Sequence, residues 1–554
     1  MLLHVETISV VYSILGAFIL FYGLCSLFVK ERLYLSEAMV AVTIGIVFGP
    51  VCANFINVGD WGGDQVELSR QFSRLAIGVQ VMAAGVTLPK AYLRKELRSM
   101  VIMLIPVMIT MWLVTGLCVW AMIPNVNYLE ALIIAACFTP TDPVLANSIV
   151  QGKFAEKRIP LHVETLTNHP LILVAQSGAN DGLGFPFLYL AIYLVQMPTG
   201  SAIGKWAYYI MAYEILLSII IGFVVGYVAR KLLKIAEKKK LIDKESFLVY
   251  AVALSLFLMG TVSMIGSDDL LSCFIAGNSF TWDDWFRKET ENAHMSEVVD
   301  LLLNLSMFVY IGATMPFSDF GNPELQLTAW RLVVLAILVL LFRRLPIVLA
   351  VYKIVPALRT WREAIFCGWF GPIGVGALFY YTEALKNFEE DGPQAHVRAV
   401  LAPVVYFMIL SSVLVHGFTI PLFHIGTFAS RTLTRTSMSS NSNTQNNSIM
   451  RLPMFSQKQQ HNGMNEKESD VDSPDSNPDI PEPALSGPPR HTAITIVVPE
   501  RSHHPTVNGQ KEQSNTKEDE KQSDRPHDTT QHAPSKHVDD LSDDDDNNSV
   551  SEYL

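Results

Sequence analysis

The sequence predicts an all-α, polytopic membrane protein of about 13 transmembrane helices in two inverted repeats with paired broken helices, plus a disordered C-terminal tail. Three observations predict it. Long apolar runs follow one another from Ser9 to about Phe423. Basic residues gather in alternate connections between the runs. Two runs carry helix breakers at mid-membrane, seven runs apart.

A bilayer core of ~30 Å needs about 20 apolar residues per helix. Candidate spans lie near 9–29, 35–56, 71–89, 101–123, 129–150, 171–195, 207–229, 246–265, 268–280, 297–315, 329–352, 362–382 and 398–423. The first has no Lys or Arg before it and is followed by Lys30 and Arg32, so it reads as a span with its N-terminus outside rather than a cleaved signal. The ninth is short. It is kept because removing it spoils the alternation of the loops that follow.

With the N-terminus outside, the inside loops hold Lys30 and Arg32, Lys90 to Arg98, Lys153 to Arg158, Arg230 to Lys240, Arg287 and Lys288, and Lys353 to Arg362. The outside loops hold Asp60, Asp64 and Glu67, then Asp319 and Glu324, then Glu389 to Asp391. This is the asymmetry of the positive-inside rule, and it puts the C-terminus in the cytoplasm.

Composition divides the chain into residues 1–426, a transmembrane domain, and 427–554, a tail of Ser, Asn, Asp and Pro. The chain carries a net charge of −11, and the tail holds 21 Asp and Glu against 12 Lys and Arg, so most of the acidity lies in the tail. Such a segment cannot bury enough apolar surface to order itself. The acidity is therefore no binding surface for a basic partner, and nucleic acid is excluded. The six cysteines, Cys25, Cys52, Cys118, Cys137, Cys273 and Cys367, sit in apolar runs without metal-ligand spacing and read as packing residues. No nucleotide loop, nucleophile triad or metal cluster appears, so the chain reads as no enzyme and as needing no cofactor.

Ionisable and helix-breaking residues inside a span are costly and mark function. The fifth span contains Thr139-Pro140-Thr141-Asp142-Pro143. Each proline removes a helix donor and clashes with the preceding turn, so the helix breaks and frees carbonyls. The twelfth span contains Gly371-Pro372-Ile-Gly374-Val-Gly376 and breaks likewise. Breaks in corresponding spans of opposite topology point to a substrate site between them, as in secondary transporters.

The sixth span carries Asn180-Asp181-Gly182 next to the first break. Burial disfavours the charged form of a lone carboxylate, so Asp181 can hold a proton or a monovalent cation but not both. With alternating access, that competition suffices for exchange. Asn180 can orient Asp181, and Thr141 and Asp142 can contribute oxygens from the break.

Arg343 and Arg344, inside the eleventh span, read as structural counter-charges needing a carboxylate or helix carbonyls. Asp268 and Asp269 open the ninth helix. They either complement its N-terminal dipole or line a cation entrance. His416 reads as a packed, hydrogen-bonded histidine, with pH sensing the alternative.

Five stretches carry a resemblance: Phe138 to Ala146, Lys153 to Pro160, Ser177 to Pro186, Asp268 to Leu271, and Trp369 to Ala377. Over about residues 10–425 the chain resembles the fungal plasma-membrane Na+(K+)/H+ antiporters of the monovalent cation:proton antiporter-1 family. The resemblance implies a homodimer with a mobile core that moves elevator-fashion. It places the family's essential carboxylate on Asp181, its broken-helix pair on Thr141 and Asp142, and its buried arginine on Arg344, with Arg343 the alternative. It implies export of Na+ and K+ against inward H+, supporting salt tolerance and pH and K+ homeostasis. Li+ is a further expected substrate, and the Ser-rich acidic tail is a candidate target of cytosolic regulators.

One stretch departs from the family. Between Glu164 and Gln176 the chain is several residues longer, lacks an arginine, and has Gln176 in place of a glutamate. The buried arginine is then expected to use backbone carbonyls or Asp142. Two other classes stay open on the residues: a monovalent cation channel, and a transport-inactive sensor or scaffold whose tail does the work.

Overall fold

The computed structural model describes residues 7–33, 35–143, 145–146, 169–290, 293 and 295–438. Among them every regular element is helical. The segment Lys153 to Pro160 and the start of the Glu164–Gln176 stretch lie outside the described residues, as does the chain from 439 onward.

The main helices in chain order are α1 (Thr7–Phe28), α2 (Glu37–Phe48), α3 (Gln65–Thr87), α4 (Leu97–Met122), α5 (Tyr128–Cys137), α6 (His169–Gly182), α7 (Gly184–Gln196) and α8 (Thr199–Lys238). They continue as α9 (Lys244–Ile265), α10 (Asp269–Phe280), α11 (Met295–Ala313), α12 (Ala329–Phe342), α13 (Leu345–Val351), α14 (Trp361–Trp369), α15 (Val375–Leu385) and α16 (Ala395–Met438). Every span expected from the sequence meets one of these helices. Among the described residues, six stretches are long and apolar enough to cross a membrane by length and composition, Ile8–Phe28, Thr199–Lys238 and Ala329–Ile354 being three of them. The last helix runs through residue 426, where composition divides the chain.

Polar residues fix where helices begin. Asp64 caps α3 by accepting from Val66 N and Glu67 N, and Asn127 and Glu130 form a reciprocal capping box at the start of α5. The outer helices turn apolar side chains outward: Leu20, Phe21 and Leu24 of α1 are 72%, 70% and 86% exposed. In water such a face would drive association; in lipid it is the expected surface.

The inner helices differ. Helix α10 is 12 residues long, and all but one of its side chains are buried. A helix that is enclosed all round is packed by other helices rather than by lipid, which accounts for the short ninth apolar run. It lies against α3, α8 and α9. Gly222 and Gly226 of α8 pass directly over the backbone of Ser272 and Ala276, so a methyl group at either position would run into a carbonyl oxygen. Small residues spaced four apart let two helices approach this closely inside a membrane.

Helix α6 runs antiparallel to α10: Gly178 meets Phe274 and Gly182 meets Leu271. It also packs on α3, with Gly178 beside Ala84. The breaks stand next to this inner group, α15 packing on both α3 and α5.

Candidate cation site

Four interruptions meet here. The first follows α5, where the chain leaves helical geometry at Phe138 and passes through Pro140 and Pro143. The second separates α14 from α15 across Gly371 and Pro372. The third, at Leu183, separates α6 from α7; Pro186 lacks the N–H that would continue the ladder to Gly182. The fourth divides the eleventh span at Arg343 and Arg344, with Pro346 in the first turn of α13. The sequence reading anticipated the first two. Pro346 was the available signal for the fourth.

Backbone groups freed by a break must be met inside the protein, and here they are met by the site residues. Asp142 joins the two main breaks. Its N–H donates to Pro372 O at 2.9 Å, Oδ1 accepts from Leu145 N at 2.9 Å, and Oδ2 accepts from Val375 N at 3.0 Å. The carboxylate thus sits against the first N–H groups of two half-helices, where negative charge is favoured. Gly374 makes the approach possible, because a Cβ there would collide with this carboxylate.

Asn180 clasps Thr141. Its Oδ1 accepts from Thr141 N at 3.1 Å and its Nδ2 donates to Thr141 Oγ1 at 2.9 Å. Thr141 Oγ1 also lies 2.9 Å from Ser177 Oγ. All of these groups are buried.

Asp181 is 1% exposed, and its Oδ1 has no hydrogen-bond partner. A Cβ on Gly376 would come within 2.8 Å of that oxygen, so the second break faces it directly. The backbone of α6 ends beside it. The hydroxyl of Tyr380 donates to Asp181 O and lies 3.4 Å from Gly182 O, at the end of the helix that Pro186 interrupts.

Arg343 and Arg344 are buried and adjacent but do different things. Arg343 donates to Phe138 O and to Gly371 O, one carbonyl at each main break. Arg344 Nε donates to Cys367 O at 2.9 Å, and its Nη2 donates to Gln176 Oε1 at 2.6 Å. Arg343 is thus met by carbonyls at the two main breaks, and Arg344 by one carbonyl of α14 and the Gln176 amide oxygen. Arg344 Nη1 and Gln176 Nε2 have no partner.

The acidic pair opens α10, whose Leu271 packs against Gly182 at the third break. Asp268 Oδ1 caps the helix by accepting from Leu271 N at 3.0 Å, while its Oδ2 has no partner. Asp269 pairs with Arg74 of α3, Arg74 Nε donating at 2.8 Å. His416 is packed and hydrogen-bonded, with both ring nitrogens near oxygens.

Sequence reasoning missed Ser177, Tyr380 and Gln80. Gln80 is 2% exposed with both ends of its amide unpartnered. It lies one helical turn from Ala84, which puts it at the depth of Gly182 on antiparallel α6. A polar residue in the otherwise apolar stretch Ala76 to Val86 was the signal.

The sequence model of the family described as "Sodium/hydrogen exchanger, transmembrane" matches residues 16–425. A Schizosaccharomyces pombe protein described as a probable Na+/H+ antiporter is 46% identical over 431 residues, covering 75% of this chain and 56% of its own length. The Na+/H+ antiporter 2 of Zygosaccharomyces rouxii is 39% identical over 469 residues, 81% of this chain and 57% of that protein. The chain thus spans little more than half the length of these two relatives. A second S. pombe Na+/H+ antiporter is 35% identical, over 76% of this chain and 90% of its own. Among solved structures, the sodium/proton antiporter of Methanocaldococcus jannaschii shares the fold with a TM-score of 0.53 at 18% identity, covering 74% of this chain and all of that one.

Proposed function

Because the chain belongs to the sodium/hydrogen exchanger family, we propose that it is a secondary active antiporter exchanging cytosolic Na+, and also K+ and Li+, for external H+. The observation that carries this reading is the buried, unpartnered Oδ1 of Asp181 facing two broken helices. Asp142, Thr141 and Asn180 are engaged with one another and with the breaks, so they shape the site. Asp181 keeps an oxygen for either a proton or a cation, and exchange follows when the site opens to each side in turn.

On this reading the protein works as a homodimer in the plasma membrane, with its N-terminus outside and residues 427–554 a regulated cytoplasmic tail. The distribution of Lys and Arg among the loops supports the orientation. Asp268, with one carboxylate oxygen unpartnered, supports a cation entrance at the start of α10.

The test is a pH-jump assay in proteoliposomes with Na+, K+ and Li+ supplied in turn. Cation-driven proton movement is expected for wild type and abolished in Asp181→Asn at equal protein content. Conduction without proton coupling would make the protein a channel, and near-normal exchange in Asp181→Asn would remove Asp181 from the site.

A further inference from the structure

The second break is held from two sides, and only one of them is the ion site. On that side Asp142 takes Pro372 O and Val375 N, and Arg343 takes Gly371 O. On the other side stands α16. Its residues Ser412, His416 and Thr419 are four and three apart and so form one stripe along the helix. Ser412 Oγ accepts from Ile373 N at 2.8 Å. His416 Nε2 lies 3.0 Å from Trp369 O, and Trp369 Nε1 donates to Thr419 Oγ1 at 3.4 Å. Ser412 and His416 are buried, and the His416 ring lies beside those of Trp369 and Phe370.

Both ring nitrogens face a carbonyl oxygen, Nε2 that of Trp369 and Nδ1 that of Ser412 at 2.8 Å, so a neutral ring donates to one or the other according to its tautomer. With the proton on Nε2, His416 donates to Trp369 O. In the neutral ring Nδ1 is then an acceptor, and the group able to donate to it is the Ser412 hydroxyl, 3.2 Å away. Ser412 Oγ keeps a lone pair for Ile373 N–H. In that tautomer the contacts form one circuit: Ile373 N–H to Ser412, Ser412 O–H to His416, His416 N–H to Trp369 O. It begins at Ile373 in the unwound segment and ends four residues away on Trp369, the last residue of α14. Both ends are backbone groups at the break, which no water from the bilayer could satisfy.

We propose that Ser412 and His416 are positioning residues: a latch from the last helix that sets the register of the second break against Asp142, and thereby the cation affinity of the site. If the latch is undone, the Trp369 carbonyl and Ile373 N–H must find other partners. Val375 N then moves off the Asp142 carboxylate, and Gly376 moves relative to Asp181. The latch also has a second wiring: with the proton on Nδ1, His416 would donate to Ser412 O, 2.8 Å away, and release Trp369 O.

This proposal rests on the antiporter reading. Its test uses the full chain in proteoliposomes, at equal protein content, with a Na+ and a Li+ concentration series repeated across pH. The variants are Ser412→Ala, His416→Leu and His416→Gln. A glutamine amide retains a donor near the position of Nε2. Ser412→Ala and His416→Leu are expected to raise the apparent KM for both cations about tenfold and to alter the pH profile, while His416→Gln returns KM most of the way to wild type. A purely structural role would lower the amount of folded protein and the maximal rate without moving KM. Unchanged KM in Ser412→Ala overturns the latch, whether or not His416→Leu folds. A His416→Gln protein that behaves like His416→Leu also overturns it. A wild type without cation-driven proton movement overturns the antiporter reading and takes the latch with it, an outcome distinct from both.

Discussion

Arg344 places its Nη2 2.6 Å from Gln176 Oε1, a buried guanidinium against a neutral amide. The position offers an opposite charge nothing to prevent it: Gln176 Nε2 and Arg344 Nη1 both lack partners. Gln176→Glu should therefore create a buried, hydrogen-bonded ion pair in an existing geometry. We expect the melting temperature of the purified protein to rise by about 2 °C or more, with exchange retained. A fall in melting temperature would mean that the two carbonyl-bound arginines are already balanced by the aspartates of the site.

Gly376→Ala tests the closeness of the second break to Asp181. The new methyl would stand 2.8 Å from Oδ1, tighter than ordinary contact. Displacing that oxygen should cost the site at least about 1.4 kcal/mol, equivalent to about tenfold in cation affinity. The apparent KM for Na+ in vesicles reads this directly, and an unchanged value would put Asp181 Oδ1 elsewhere.

Arg343→Lys keeps the charge and loses the fork. A lysine ammonium cannot take the place of a planar guanidinium that spans Phe138 O and Gly371 O. One buried carbonyl then goes unmet, at a cost of about 1–3 kcal/mol. Lower thermal stability and faster amide exchange on both sides of the site are expected. Stability equal to wild type would show that the two breaks hold without the bridge.

Truncation after Met438 removes the Ser-rich acidic segment and leaves every described helix intact. Exchange should persist, with altered regulation. Loss of exchange in a correctly localised truncation would assign the tail a part in transport.

What the sequence disclosed was whatever one residue type dictates on its own. Pro140, Pro143 and Pro372 forbid helical hydrogen bonds wherever they stand, so the two main breaks were legible, and with them the depth of Thr141, Asp142 and Asp181. Partner choice was not legible, because it depends on which helices meet. Nothing along the chain says that Arg343 takes the carbonyls of Phe138 and Gly371 while its neighbour takes Cys367 and Gln176. Nor does hydropathy reveal that Asn180 spends its amide on Thr141. The break at Arg343 and Arg344 was signalled by Pro346 but hidden by the strongly apolar run around it.

Helix α10 has a consequence for how the protein is made. Its 12 residues fall well short of the length that partitions into a bilayer unaided, and they include Asp269, Ser272, Asn278 and Ser279. Leaving the insertion machinery alone, this segment would have little reason to remain in lipid. The surface it needs is synthesised first: the close-fitting glycines of α8, and Arg74 of α3, both precede it in the chain. Helix α10 is thus expected to enter the membrane as a guest of helices already there. Variants such as Gly226→Leu would be lost in biogenesis, as chains failing to complete their topology, before any defect in ion movement could be measured.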